Sequence, residues 1–127
     1  ETASARVLAA MIDIPQLQQN LAAQIRLSEE QAGATKARRN EACAAAQAAR
    51  REAVRQQQLV VQGFVSAAVM DKAASEADVR EAACRAATAE IAAAEARVDT
   101  ARAALSRTVL RAPFAGIVAE VTGEQGE

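Results

Sequence analysis

Between Pro15 and Gln62 the apolar and small positions alternate by steps of four and three. They fall at Leu21, Ile25, Ser28, Ala32, Thr35, Arg39, Ala42, Ala46, Ala49, Ala53, Gln56 and Val60. This spacing is a heptad seam, the stripe that one helix turns toward another, with Arg39 as its misfit. The stretch holds no Pro after Pro15 and a single Gly, Gly33. Proline suits the first turn of a helix, where its missing N–H costs nothing. The pattern predicts a helix that starts at Pro15 and runs for roughly 70 Å at 1.5 Å per residue.

A second seam follows. Met70, Ala77, Cys84, Ile91, Val98 and Leu105 recur every seven residues, and Ala73, Ala87, Ala94 and Ala101 lie three residues after their partners. Arg80 is the exception. A strict seven-residue repeat predicts a left-handed coiled coil. Gly63-Phe64-Val65 separates the two seams. Gly63 can take the left-handed conformation that ends a helix, and Ser66 can cap the next one. Two helices joined by about three residues run antiparallel. Residues whose numbers sum to 126–127 should then face each other. Leu105 falls beside Leu21, Val98 beside Ser28, Ile91 beside Thr35, and Cys84 beside Ala42 or Cys43. Large residues on the second helix meet small ones on the first.

The pattern changes at both ends. Val7, Leu8, Met11, Ile12 and Ile14 give β-compatible density, and a short strand is expected near Arg6–Ile12. Thr108–Ala112 is β-compatible, Pro113 stops the helix, and Gly116–Val121 alternates into a second strand before a turn at Thr122-Gly123. The predicted fold is mainly α. A long antiparallel coiled-coil hairpin over 15–107, with its tip near 63–65, is set into a small β module made from 1–14 and 108–127.

Composition narrows the function. Alanine supplies 36 of 127 residues; His, Trp and Tyr are absent, and there are two Phe. Such a chain builds thin, close-packed helices rather than the thick core of an ordinary enzyme. The net charge is −1, with 13 Arg but only two Lys, Lys36 and Lys72. No global field points to nucleic acid or an anionic membrane. Without His the commonest general base and metal ligand are missing. The acids of the second helix, from Asp71 to Asp99, alternate with Arg and read as a solvated, ion-paired face rather than an acid–base pair. No catalytic residue, metal site or cofactor is expected. No apolar run approaches the ~20 residues that span a bilayer.

Leu105–Val118, reading LSRTVLRAPFAGIV, resembles the return from hairpin to second lipoyl-like half in the HlyD-like membrane-fusion proteins. These are the periplasmic adaptors of tripartite efflux and secretion systems. The family usually has "APFDG", and Ala115 stands here in place of Asp. Arg6–Asp13, reading RVLAAMID, is similar to the end of the first lipoyl half, usually "GQVLAxLD", with Ala5 where Gly is common. At the tip, Arg55, Leu59 and Ser66 match the R-x3-L-x6-S spacing of adaptors that dock on TolC-type channels. The resemblance implies a non-enzymatic adaptor in the periplasm, attached to the inner membrane in the full-length protein. It would link an inner-membrane transporter to a TolC-like outer-membrane channel and self-associate into a ring of six. The exported cargo would be drugs or other small molecules, as the hairpin is closer in length to those of drug-efflux adaptors than to those of protein-secretion adaptors.

The docking residues implied are Arg55, Leu59, Gly63 and Ser66. Arg55 offers a planar set of donors for carboxylates or carbonyls. Leu59 lies one turn on along the same face. The plainer reading makes Arg55 one solvated Arg among 13, Leu59 the end of the seam and Ser66 a cap. Cys43 and Cys84 satisfy the pairing sum, and a periplasmic setting would allow a disulfide. The seam, however, puts Ala42 rather than Cys43 at the core position, and helices 8–10 Å apart separate Cα atoms too far for many disulfides. A bridge and two small seam residues both stand as readings. Two rivals remain. A lipoyl or biotinyl carrier needs a Lys at a tight β-turn, whereas Lys36 and Lys72 lie in predicted helices. A structural coiled coil with no export role leaves the APFAG segment unexplained.

Overall fold

The computed structural model describes the backbone of residues 2–117, 119 and 120, and side chains from Ile14 onward. It contains two helices, α1 (Thr2–Val61) and α2 (Ala67–Ser106). Both are rich in Ala, Glu and Arg, and α1 also in Gln, residues that lose least on entering a helix. The chain divides into two compact units, Glu29–Ala96 and Glu1–Ser28 with Arg97–Glu127. No described helix is long and apolar enough to cross a membrane.

In unit 29–96 the two helices form an antiparallel hairpin. The register is fixed at three levels. Lys36 Nζ lies 3.1 Å from Glu95 Oε1, Cys43 is joined to Cys84, and Arg50 Nε donates to Glu81 Oε1 at 2.7 Å. Ala32, Ala46, Ala53, Ala77 and Ala94 are buried, and Ala77 is fully so, at 0% exposure. The remaining seam positions here are half-buried apart from Arg80, which is exposed and pairs with Glu76 on its own helix. Arg39, the misfit of the first seam, is half-buried, and its Nε is enclosed without a hydrogen-bond partner.

In the other unit Val98 is buried, and Leu21, Ile25, Ser28, Ala101 and Leu105 are half-buried. Gln18 Nε2 donates to Thr108 Oγ1 at 3.2 Å. The end of α2 is closed locally. Thr108 Oγ1 donates to the Leu105 carbonyl at 2.7 Å, and Ser106 Oγ to that of Ala103 at 2.8 Å. Residues 110–117 then run without regular structure, leaving Leu110, Phe114 and Ile117 exposed.

Two expectations are corrected at the ends. Arg6–Ile12 is helical, not a strand, and α1 begins at Thr2 rather than Pro15. The segment's Ala3, Ala5, Leu8, Ala9, Ala10 and Met11 have high helix propensity, and a strand must find a ladder partner that no described residue supplies. Pro15 therefore lies inside α1, where it can offer no N–H to the Met11 carbonyl. No strand occurs among the described residues, so the lipoyl-like β module is not seen. Gly116, Ile117, Ala119 and Glu120 of the second expected strand have no regular structure. Its Val118 and Val121, and the turn at Thr122-Gly123, lie outside the described residues.

Candidate functional site at the hairpin tip

The tip is built from backbone hydrogen bonds more than from packing. α1 ends at Val61, and Gly63 takes a left-handed φ of 77°. Its N–H donates to the Val60 carbonyl at 3.0 Å, and that of Phe64 to the Leu59 carbonyl at 2.9 Å. This is the Schellman arrangement, in which a left-handed residue turns the last carbonyls onto the following amides. A Cβ on Gly63 would meet nothing within 4 Å, so the need for glycine comes from the backbone angle alone. Ser66 opens α2. Its carbonyl accepts from the amides of Val69 and Met70 at 3.2 and 3.3 Å, and its Oγ accepts from Val69 at 3.4 Å. Residues 62–66 are thereby a fixed turn, in which Gln62, Phe64 and Ser66 are exposed and Val65 is half-buried.

That turn displays apolar surface. Val61 is 83% exposed and Phe64 73%. Val61 also lines, with Val54, Gln57, Gln58 and Gln62, an open groove of about 400 Å³ along α1. A clean helical surface of amides flanking valines can accept both apolar contact and side-chain hydrogen bonds.

The four residues singled out in the sequence are placed as follows. Gly63 and Ser66 are exposed within the turn, and Leu59 is half-buried at its base. The Leu59 carbonyl is also the acceptor that holds Phe64. Arg55 stands two turns before Gly63, exposed, and ion-paired with Glu52 on its own helix. Glu52 also accepts from Gln56 Nε2 at 2.6 Å. The turn thus brings Leu59, Gly63 and Ser66 together, while Arg55 belongs to the flank. Val61 and Phe64 were missed as surface residues. Phe64 is one of only two Phe in the chain and sits next to the turn glycine, which was the available signal.

A second constellation lies farther along the same unit. Cys43 and Cys84 are bridged, with Cα atoms 4.6 Å apart. The alanines on either side, Ala42 and Ala46 on α1 and Ala87 on α2, are small enough for the helices to approach this closely. Among the described residues no group of three or more His, Cys, Asp or Glu could hold a metal ion.

Residues 29–108 match a family model described as the alpha-helical hairpin domain of the RND MFP, the membrane fusion proteins of RND systems. The match covers all of α2 and the part of α1 from Glu29 onward. No curated protein and no solved structure matches the chain.

Proposed function

The chain belongs to the RND membrane fusion proteins, and from that premise we propose that its hairpin is the arm by which a periplasmic adaptor reaches a TolC-like outer-membrane channel. Members of this family are non-enzymatic adaptors that associate with an inner-membrane transporter and an outer-membrane channel. In the proposed role the full-length protein is attached to the inner membrane and serves the efflux of drugs or other small molecules. Residues 1–14 and 108–127 lead from the hairpin into a lipoyl-like domain. The bare Leu110, Phe114 and Ile117 side chains support that reading, because exposed large apolar side chains in series ask for a covering layer. Several copies, six in the assembled pump, pack their alanine-rich arms side by side.

The observation that carries the proposal is the tip. A Schellman turn and a serine cap hold Val61 and Phe64 out to solvent at the far end of a two-helix arm. An apolar pair displayed on a preformed turn loses little conformational entropy when it meets a partner. Docking uses Leu59, Gly63 and Ser66 with these two side chains, and Arg55 adds charge-assisted hydrogen bonds at the flank. The function is mechanical: contacts made only with an open channel mouth shift the channel toward that state.

The test is binding to a purified TolC-type channel from the same organism, with the chain in tandem or hexamerised form to gain avidity. Wild-type protein is expected to bind saturably and Leu59→Asp to lose at least tenfold in affinity while remaining helical. An assembled, helical wild type that does not bind would favour a structural coiled coil with no export role. Equal binding by both would move the contact away from Leu59.

A further inference from the structure

The Cys43–Cys84 bridge is not sealed in the seam. Both residues are half-buried, and a groove of about 410 Å³ lined by the two cysteines, Gln47, Arg50, Arg51 and Glu81 opens onto them. The charges around it are uneven. Arg50 is paired with Glu81, whereas Arg51 has no ion-pair partner among the described residues. Two guanidinium groups against one carboxylate leave this opening with a net positive charge. Such a groove does for the bridge what a reactive cysteine requires: it admits a second sulfur atom and favours the thiolate form of any thiol beside it.

We propose that this groove is a thiol–disulfide exchange site, at which an anionic thiol reduces the Cys43–Cys84 bridge in the folded protein. In the first step an incoming thiolate bonds to one of the two cystine sulfurs, and the other cysteine leaves as a thiolate. In the second step another thiolate of the reductant attacks the mixed disulfide, which frees the remaining cysteine as a thiolate and releases the reductant as its own disulfide. Two thiols are oxidised to one disulfide, the bridge gains two electrons, and the protein's two thiolates equilibrate with protons from water. Arg51 assists both steps by attracting the incoming anion and by stabilising the thiolate that departs. The tether that sets the register of α1 against α2 is thereby open to exchange without unfolding of the arm. This site does not depend on what the tip binds.

The experiment follows reduction of the whole chain under native conditions by alkylation and mass spectrometry. The probes are mercaptoethanesulfonate, an anionic thiol, and cysteamine, a cationic one. The same pair acting on the chain unfolded in denaturant gives the intrinsic ratio of their rates. The folded protein is expected to be reduced at a rate proportional to thiol concentration. Its preference for the anionic thiol should exceed the unfolded-chain ratio by about 3- to 10-fold. Arg51→Gln, at an exposed helical position, should bring the preference back toward that ratio with an unchanged far-UV circular dichroism spectrum. Three results would overturn the proposal: a rate that saturates with thiol concentration, showing that the arm must first open; reduction in denaturant only; or an anionic preference that Arg51→Gln leaves intact.

Discussion

The two units of this chain solve the same packing problem with different side chains. In 29–96 every buried hydrophobic residue is alanine: Ala32, Ala46, Ala53, Ala77 and Ala94. Among the described residues of the other unit Val98 is the buried one, with Leu21, Ile25 and Leu105 half-buried around the seam. A buried methyl is worth roughly 0.8 kcal/mol of transfer free energy, against about 1.5–3 kcal/mol for a whole Val, Leu or Ile side chain. The alanine arm therefore gains little from each layer. It also carries the cross-helix tethers, namely the Cys43–Cys84 bridge and the Lys36–Glu95 and Arg50–Glu81 ion pairs. The ion pairs are exposed enough that each contributes at most about 1 kcal/mol. The covalent tether is the one with enough effect to offset a thin seam.

The largest expected effect breaks this comparison directly. Replacing both cysteines by alanine keeps the seam narrow but frees the two helices. Closing a loop across a separation of 41 residues stabilises the fold by about 4 kcal/mol through loop-closure entropy. Thermal melts of the Cys43→Ala/Cys84→Ala variant should show a fall in Tm of well over ten degrees. A truncation in the other unit, Leu105→Ala, removes more apolar surface yet should cost only about 2 kcal/mol, because the residue is half-buried and no tether is lost. If the double alanine variant melts within a few degrees of the parent, the alanine layers hold themselves and the contrast between the units fails.

A smaller effect tests how close the helices lie. Ala77 is fully enclosed, so Ala77→Leu inserts three carbons at a site with no exposed surface, at a cost of about 1–3 kcal/mol. Val98→Ile adds one methylene at a buried position of the other unit and should cost less, about 1 kcal/mol. Urea midpoints of the two variants give the order. Reversal of that order would show that the arm has slack the closely spaced cysteine Cα atoms do not suggest.

How much of this was legible in the sequence follows from the range of each interaction. The seams could be read because a helix repeats its own geometry. Every seam position on α1 from Leu21 to Val60 is buried or half-buried, including the misfit Arg39, and only Arg80 on α2 departs. The turn could be read because Gly63 and Ser66 act on amides within a few residues. The bridge could not be settled, since the spacing of Cys43 and Cys84 depends on how closely two remote helices approach. Helix-packing averages hold the Cα atoms farther apart than the 4.6 Å observed, because they do not describe a seam of alanines. The stretch Arg6–Ile12 misled because a strand is decided by its neighbours, whereas the propensity of Ala5, Leu8, Ala9 and Ala10 acts locally. The apolar tip was passed over because Phe64 and Val61 look like core residues until the turn is seen to aim them outward.

The smallest effect concerns the place where the alanine arm breaks its own rule. Arg39 occupies a seam position, and the register set by the bridge puts residue 88 or its neighbour Ala87 across from it. No acid answers it there: its Nε is enclosed with no hydrogen-bond partner. An enclosed donor left unpaired costs about 1–3 kcal/mol, although the rest of a half-buried guanidinium keeps its water. Arg39→Leu removes the orphaned donor and places an apolar side chain against the methyl of Ala87. We expect a gain of about 1 kcal/mol, read as a higher urea midpoint with an unchanged slope. A loss instead would mean that the guanidinium recovers more from solvent than its buried Nε forfeits. The arm would then tolerate polar seam positions at no cost, and its stability would rest still more heavily on the bridge.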